Sequence, residues 1–285
     1  LTPATLTAKS RLNAIVPSHN QNLKETGSLD LHLNGRTALV TGSHRGTGMI
    51  IARTLLAEGV DVFVHGMTAE QAQAAVAELN GGIPVSGDIT SEAGTAELIA
   101  QLPATPDILI NNYGTAEPGK WHNTSTEDWL DLYQKNVLSA ARLAQHALKG
   151  LRERGWGRII NLGTVGSTSP NSRSPHYYSA KGALATMTIS LAKEVAGTGI
   201  TVNLVSPGMI ATPEVIDSYL AAGKRNGWGD DWATVQQHVA RDIPIRRFVT
   251  REEVADLVVY LCSPRADGVH GQNIRVDGGS LGTVT

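Results

Sequence analysis

Tyr177 and Lys181 stand four residues apart in the run Tyr177-Tyr178-Ser179-Ala180-Lys181. On a helix that spacing puts both side chains on one face. A phenol beside an ammonium is a device for moving protons. Reducing a ketone needs an acid at the developing alkoxide, and the reverse reaction needs a base. A free tyrosine titrates near pH ~10, and a neighbouring positive charge favours the phenolate. The pair is therefore expected to hold an acidified phenol. Tyr178 is the rival phenol, but it lies three residues from the lysine. The nine histidines are scattered without ligand spacing, so no metal is expected.

A second chemical feature lies near the start of the chain. Thr41-Gly42-Ser43-His44-Arg45-Gly46-Thr47-Gly48 joins a short apolar run to a helical pattern of Met49, Ile50, Ala52, Leu55 and Leu56. Glycines let backbone approach a phosphate closely. The start of a helix supplies unpaired N–H donors and partial positive charge.

Both features need a scaffold. Apolar runs lie at 36–41, 61–65, 83–86, 107–111, 157–162, 200–205 and 273–276, most of them closed by glycine, proline or asparagine. Helical patterns separate them: after the glycine turn, at 69–79, from the cap Ser91 to about 102, at 126–148, at 176–196 and at 251–262. Continuous apolar strands alternating with helices predict a parallel sheet buried on both faces. The expectation is an α/β fold, a doubly wound parallel sheet of about seven strands in a single domain over 35–285. Residues 1–34 are read as an N-terminal arm, packed on a partner or mobile, with a transit peptide as the lesser reading. A substrate lid is expected over about 209–247, with Gly223, Gly227 and Gly229 as hinges. In such sheets ligands bind beyond the carboxyl ends of the strands, where these motifs fall.

Composition removes several classes of function. Of 285 residues, 41% are hydrophobic and 18% charged, which is globular rather than disordered. The formal charge of −2 argues against nucleic-acid or membrane-surface binding. No apolar run approaches a membrane span. Cys262 is the single cysteine, so no intrachain disulfide forms, and a reducing, cytoplasmic setting is expected.

Taken together, the motifs resemble the short-chain dehydrogenase/reductase family over roughly residues 35–280. The glycine turn matches its T-G-x-x-x-G-x-G. Asn111-Asn112-Tyr113-Gly114 is similar to its N-N-A-G, with Tyr113 in place of alanine. Lys135-Asn136-Val137 resembles the segment with its catalytic asparagine, and Tyr177 to Lys181 its Y-x-x-x-K. Pro207-Gly208-Met209-Ile210-Ala211-Thr212 matches P-G-x-x-x-T, and Val276-Asp277-Gly278-Gly279 its closing segment. The resemblance implies a Rossmann-like fold. It also implies a catalytic set of Tyr177, Lys181, Thr164 and Asn136. Thr164 stands where the family places a serine, 13 residues before the tyrosine, and keeps the hydroxyl; Ser167 is the alternative donor. Asn136 is expected to disturb its helix and hold a water in the proton relay. Lys181 is expected to bond the nicotinamide ribose as well.

By the same resemblance the cofactor contacts are Gly42, Ser43, Arg45, Gly46, Thr47, Gly48, Gly66, Asp88, Asn112, Gly114, Tyr177, Lys181, Pro207, Gly208, Ile210 and Thr212. Gly66 occupies the position where NAD-dependent members carry an acid, and Arg45 resembles the basic residue of NADP-dependent ones. NADP is therefore favoured over NAD, although Met67 stands where a second arginine is common and Thr68 offers only a hydroxyl. Asp61 has the spacing of an NAD-binding acid but opens its strand, at the wrong end of the sheet.

The expected activity is hydride transfer between this cofactor and a ketone or secondary alcohol. Dehydration or epimerisation on the same scaffold and a non-enzymatic nucleotide-binding regulator are the alternatives. The partner is a small carbonyl or alcohol. The long helices are expected to pair subunits into a homodimer or homotetramer. Substrate choice should lie in 113–121, 165–176 and the lid, whose Trp228 and Trp232 either face a bulky substrate or pack. Arg173 is read as a solvated charge before an anchor for an acidic substrate.

Overall fold

The computed structural model describes residues 29–283. From Leu31 onward the chain forms one compact unit. The expected arm falls mostly outside the described residues, and its last part already belongs to the core: Leu33 is 1% exposed.

Seven parallel strands form one sheet in the order β3-β2-β1-β4-β5-β6-β7. They are β1 (Thr37–Val40), β2 (Asp61–Gly66), β3 (Ile83–Ser86), β4 (Ile108–Asn111), β5 (Gly157–Leu162), β6 (Ile200–Pro207) and β7 (Asn273–Val276). The helices are α1 (Gly46–Ala57), α2 (Ala69–Leu79), α3 (Glu92–Ala100), α4 (Thr126–Tyr133), α5 (Ser139–Arg154), α6 (Pro175–Glu194), α7 (Pro213–Asn226), α8 (Trp232–Val239) and α9 (Arg251–Cys262).

Strand periodicity divides the core. Ala38, Val40, Ile108, Ile110, Ile160 and Leu162 face α1 and α9, while Leu39, Leu109 and Ile159 face α3 and α5. Side chains alternate across a strand, so covering both faces requires apolar residues at every position. The chain runs outward from β1 to β3, then returns to β4 on the other side of β1. A crevice opens where the order reverses, beyond the strand ends.

One expected helix is two. A π turn at Gln134–Leu138 separates α4 from α5, and α5 runs on to Arg154 before Gly155, at φ 67°, ends it. Residues 209–247 contain α7 and α8, which the sequence reading left without structure. Gly223 there is no hinge: it is buried inside α7, where a β-carbon would lie 2.5 Å from Val235. Gly227 does break the chain, capping α7 at φ 70°. Among the described residues no helix is long and apolar enough to cross a membrane.

Candidate active site

Leu162, at the end of β5, and α6 place Tyr177 and Lys181, the pair expected to move protons. Lys181 is 5% exposed, and its Nζ donates to the Leu162 carbonyl at 2.7 Å. Tyr177 lies one turn earlier and lines the same cleft of about 200 Å³. The nearby Thr164 hydroxyl favours the ionised form of its phenol. Ser167, the alternative donor, is turned away, with its hydroxyl donating to the Thr164 carbonyl at 2.7 Å. Tyr178 also points elsewhere: its ring packs over Gly166 and its hydroxyl accepts from Asn171 at 2.9 Å.

A buried amide chain holds this helix to the sheet. Asn111 Nδ2 donates to Asn161 Oδ1 at 2.8 Å, and Asn161 Nδ2 donates to Thr188 Oγ1 at 2.8 Å. The links run from β4 through β5 to α6.

Asn136 lies in the π turn and is 1% exposed. Widening a helix by one residue leaves a carbonyl without its usual donor. Asn136 Nδ2 takes that part, donating to Leu132 O and to Thr115 O, each at 3.0 Å. Its Oδ1 is buried with no partner. A β-carbon on Gly114 would lie 2.4 Å from that oxygen and 3.2 Å from Lys181 Nζ. Only a glycine leaves this cradle open.

The electrostatics correct one expectation. Burial, helped by Tyr178 and opposed by the Thr164 hydroxyl, pushes the Tyr177 phenol up to about 12. Burial likewise pulls Lys181 down to about 8. Desolvation disfavours the charged form of each group, and no attraction from Lys181 offsets it at Tyr177. The phenol therefore keeps its proton, as a proton donor should.

The glycine turn lies across the crevice. Gly42 and Gly46 adopt φ of 62° and 63°, and a β-carbon on Gly48 would lie 2.4 Å from Asn112 Nδ2. Asn112 Nδ2 donates to Thr41 O at 2.9 Å. The Ser43 hydroxyl donates inward to Val40 O at 2.7 Å. α1 starts at Gly46 with no side-chain cap, so its first N–H groups face the crevice without an intrahelical partner. Exposed Arg45 precedes it. Thr47, Asn112, Gly114, Asn136, Tyr177, Lys181, Pro207 and Ile210 line one cleft. Gly208 packs on Asp277, and Thr212 caps α7, accepting from Val215 N at 3.3 Å.

The residues expected to meet an adenosine are less free than the sequence implies. A β-carbon on Gly66 would stand 2.7 Å from Ala72 N and 2.9 Å from Thr68 O. The Thr68 hydroxyl is already committed, accepting from Gln71 N and bonding Glu70. Exposed Asp88 turns to Thr90, accepting from its N–H and its hydroxyl at 3.0 and 2.6 Å. Asp61 is exposed at the opposite end of β2. Within residues 209–247, expected to be a lid, Trp228 stacks on His238 with ring centres 4.3 Å apart and Trp232 packs on Phe248 at 5.7 Å, so both pack on aromatic neighbours. Arg173 is exposed.

Comparison with known proteins agrees with this fold. Residues 42–280 match the profile of the family described as enoyl-(acyl carrier protein) reductase. The D-beta-hydroxybutyrate dehydrogenase of Cupriavidus necator is 33% identical, covering 87% of this chain and 98% of its own. The 3-oxoacyl-(acyl-carrier-protein) reductase of Aquifex aeolicus is 32% identical, covering 88% and 99%. The crystal structure of L-sorbose reductase from Gluconobacter frateurii, complexed with NADPH and L-sorbose, superposes with a TM-score of 0.83 at 32% identity. It covers 90% of this chain and 100% of the other.

Proposed function

The chain belongs to the short-chain dehydrogenase/reductase family, and from that premise we propose an NADP-dependent enzyme that interconverts a ketone and a secondary alcohol. The observation that carries the reading is the convergence of Tyr177, Lys181 and Asn136 with Thr47 and Asn112 on one cleft at the strand ends. When bound, the nicotinamide supplies or accepts the hydride.

The residues present fit such a group. Unpaired N–H donors at Gly46, Thr47 and Gly48 suit a pyrophosphate, with Gly42 and Ser43 shaping the turn. Gly66 and Asp88 would border the adenosine. Gly66 leaves no acid to repel a 2′-phosphate, and the Arg45 guanidinium can bond two of its oxygens. Asn112 and Gly114 would flank the nicotinamide ribose, and Pro207, Gly208, Ile210 and Thr212 the ring. The sorbose reductase holding NADPH supports the choice of NADP.

Tyr177 gives its proton to the substrate oxygen, and Thr164 orients that oxygen. Lys181 returns a proton to the phenol through a water that the unpaired Oδ1 of Asn136 would hold by accepting from it.

Leu130 and Tyr133 on α4 and Ile189 on α6 are 65%, 42% and 47% exposed, which leaves apolar surface on two helices that pack together. Its burial in a homodimer, or in a homotetramer built from it, follows the physical cost of leaving it wet. A cytoplasmic location suits a chain whose single cysteine is buried.

The test is NADPH oxidation with a panel of ketones, by the wild type and by Tyr177→Phe. Loss of the proton donor should lower kcat by about 100-fold or more. Undiminished turnover in the variant would refute the assignment.

A further inference from the structure

His65 is a fully buried histidine beneath the phosphate turn that the proton relay does not use. Gly42 N donates to its Nδ1 at 3.0 Å. A neutral ring that accepts at Nδ1 carries its proton on Nε2. That nitrogen lies 3.0 Å from the Gly87 carbonyl and donates to it. The backbone N–H of His65 donates to Ser43 Oγ at 2.9 Å. Burial pulls the imidazole down to about 4, so it is neutral at physiological pH.

One side chain therefore spans three strand ends. It holds the first glycine after β1 and the residue before Asp88 after β3, from its own seat on β2. A residue without both ring nitrogens would leave the Gly42 N–H or the Gly87 carbonyl unpaired in a dry interior.

We propose that His65 is a positioning residue for the adenosine and phosphate half of the dinucleotide, setting the gap between the glycine turn and the Gly87–Asp88 edge. This rests on the reading of the crevice as a dinucleotide site. Arg45 tells a 2′-phosphate from a hydroxyl, whereas His65 supports the part common to both cofactors. The nicotinamide end, built on β4 to β6, lies outside its reach.

Calorimetric titration of the wild type, His65→Leu and His65→Asn with NADPH, NADH and 2′,5′-ADP tests this. Leucine fills the space without either nitrogen, while asparagine keeps an acceptor near Nδ1. His65→Leu should weaken all three ligands by a similar factor, roughly ten-fold or more. His65→Asn should recover much of the loss. Unchanged affinities in folded His65→Leu overturn the proposal, as does a loss confined to NADPH. A variant with lower melting temperature but wild-type affinity assigns His65 to stability alone and also overturns it. Should His65→Leu not fold, nitrogen NMR of the wild type decides: a proton on Nε2 supports the proposal, and one on Nδ1 overturns it. A wild type that binds no dinucleotide removes the reading of the crevice and this inference with it; a wild type that binds while His65→Leu binds equally well removes the inference alone.

Discussion

Gly114 and Asn136 are in such close contact that a β-carbon on the glycine would lie 2.4 Å from the amide oxygen of the asparagine. That oxygen has no protein partner, and Lys181 Nζ borders the same space. Gly114→Ala should displace Asn136 or Lys181 while leaving the sheet intact. The expected result is a fall in kcat of about ten-fold or more, since small misplacements of catalytic groups are costly. Steady-state kinetics beside a far-ultraviolet spectrum checks it.

Lys181 makes the reaction sensitive to alkali. Its ordinary value of 10.5 is lowered to about 8 by burial, so the ammonium is lost as pH rises through that region. Reductive turnover should decline above about pH 8. Lys181→Arg, which keeps its charge, should lack this break even if slower throughout. A pH–rate profile of both proteins is the measurement.

His65 acts on stability at the acid end. Its value falls from 6.5 in the free side chain to about 4 in the fold. Between these limits the unfolded chain takes up a proton and the native one does not, so stability falls as pH drops from 6.5 toward 4. His44 opposes protonation and Asp88 favours it, but desolvation is the larger effect. The loss should approach roughly 3 kcal/mol. Urea unfolding at pH 7 and 4.5 should show a smaller acid loss in His65→Asn.

Cofactor preference should prove hard to reverse at Gly66. Gly66→Asp would drive a side chain into the Ala72 amide and the Thr68 carbonyl. It should destabilise the protein by about 1–3 kcal/mol without creating an NAD enzyme. Arg45→Ala should instead weaken NADPH about ten-fold and leave NADH unaffected. Thermal melts and cofactor titrations separate the two results.

The exposed apolar residues on α4 and α6 predict association. Leu130→Glu combined with Ile189→Glu should shift the species seen by light scattering to the monomer mass. An unchanged assembly would place the interface elsewhere.

Much of this was legible in the chain because parallel strands need apolar residues on both faces. Ala38 to Val40 and Ile108 to Ile110 announced themselves, and so did the glycines that end or follow such runs. The grouping of Tyr177, Lys181 and Asn136 with the glycine turn was implied by the resemblance of their motifs to the family, the turn alone lying at a strand end. Other features depend on distant contacts. The π turn had a hint in Asn136, an amide inside a helical run, but its match to the Leu132 carbonyl is three-dimensional. His65 looked like one more strand residue, although a histidine between Val64 and Gly66 in a buried strand was the available sign. The phenol's acidity was misjudged because spacing reveals a charge nearby and says nothing of how dry its surroundings are. Thr68 looked available because capping bonds are invisible until α2 is seen to begin there.

The amide chain from Asn111 through Asn161 to Thr188 has a consequence for how this enzyme can change. It clamps α6 three turns beyond Tyr177, at the sheet, while residues 165–174 lie in the segment before the helix. The clamp acts as a fulcrum that keeps the reacting pair in register when the entrance is rebuilt. New substrates can thus be acquired by exchanging the entrance alone, with the proton machinery inherited unaltered.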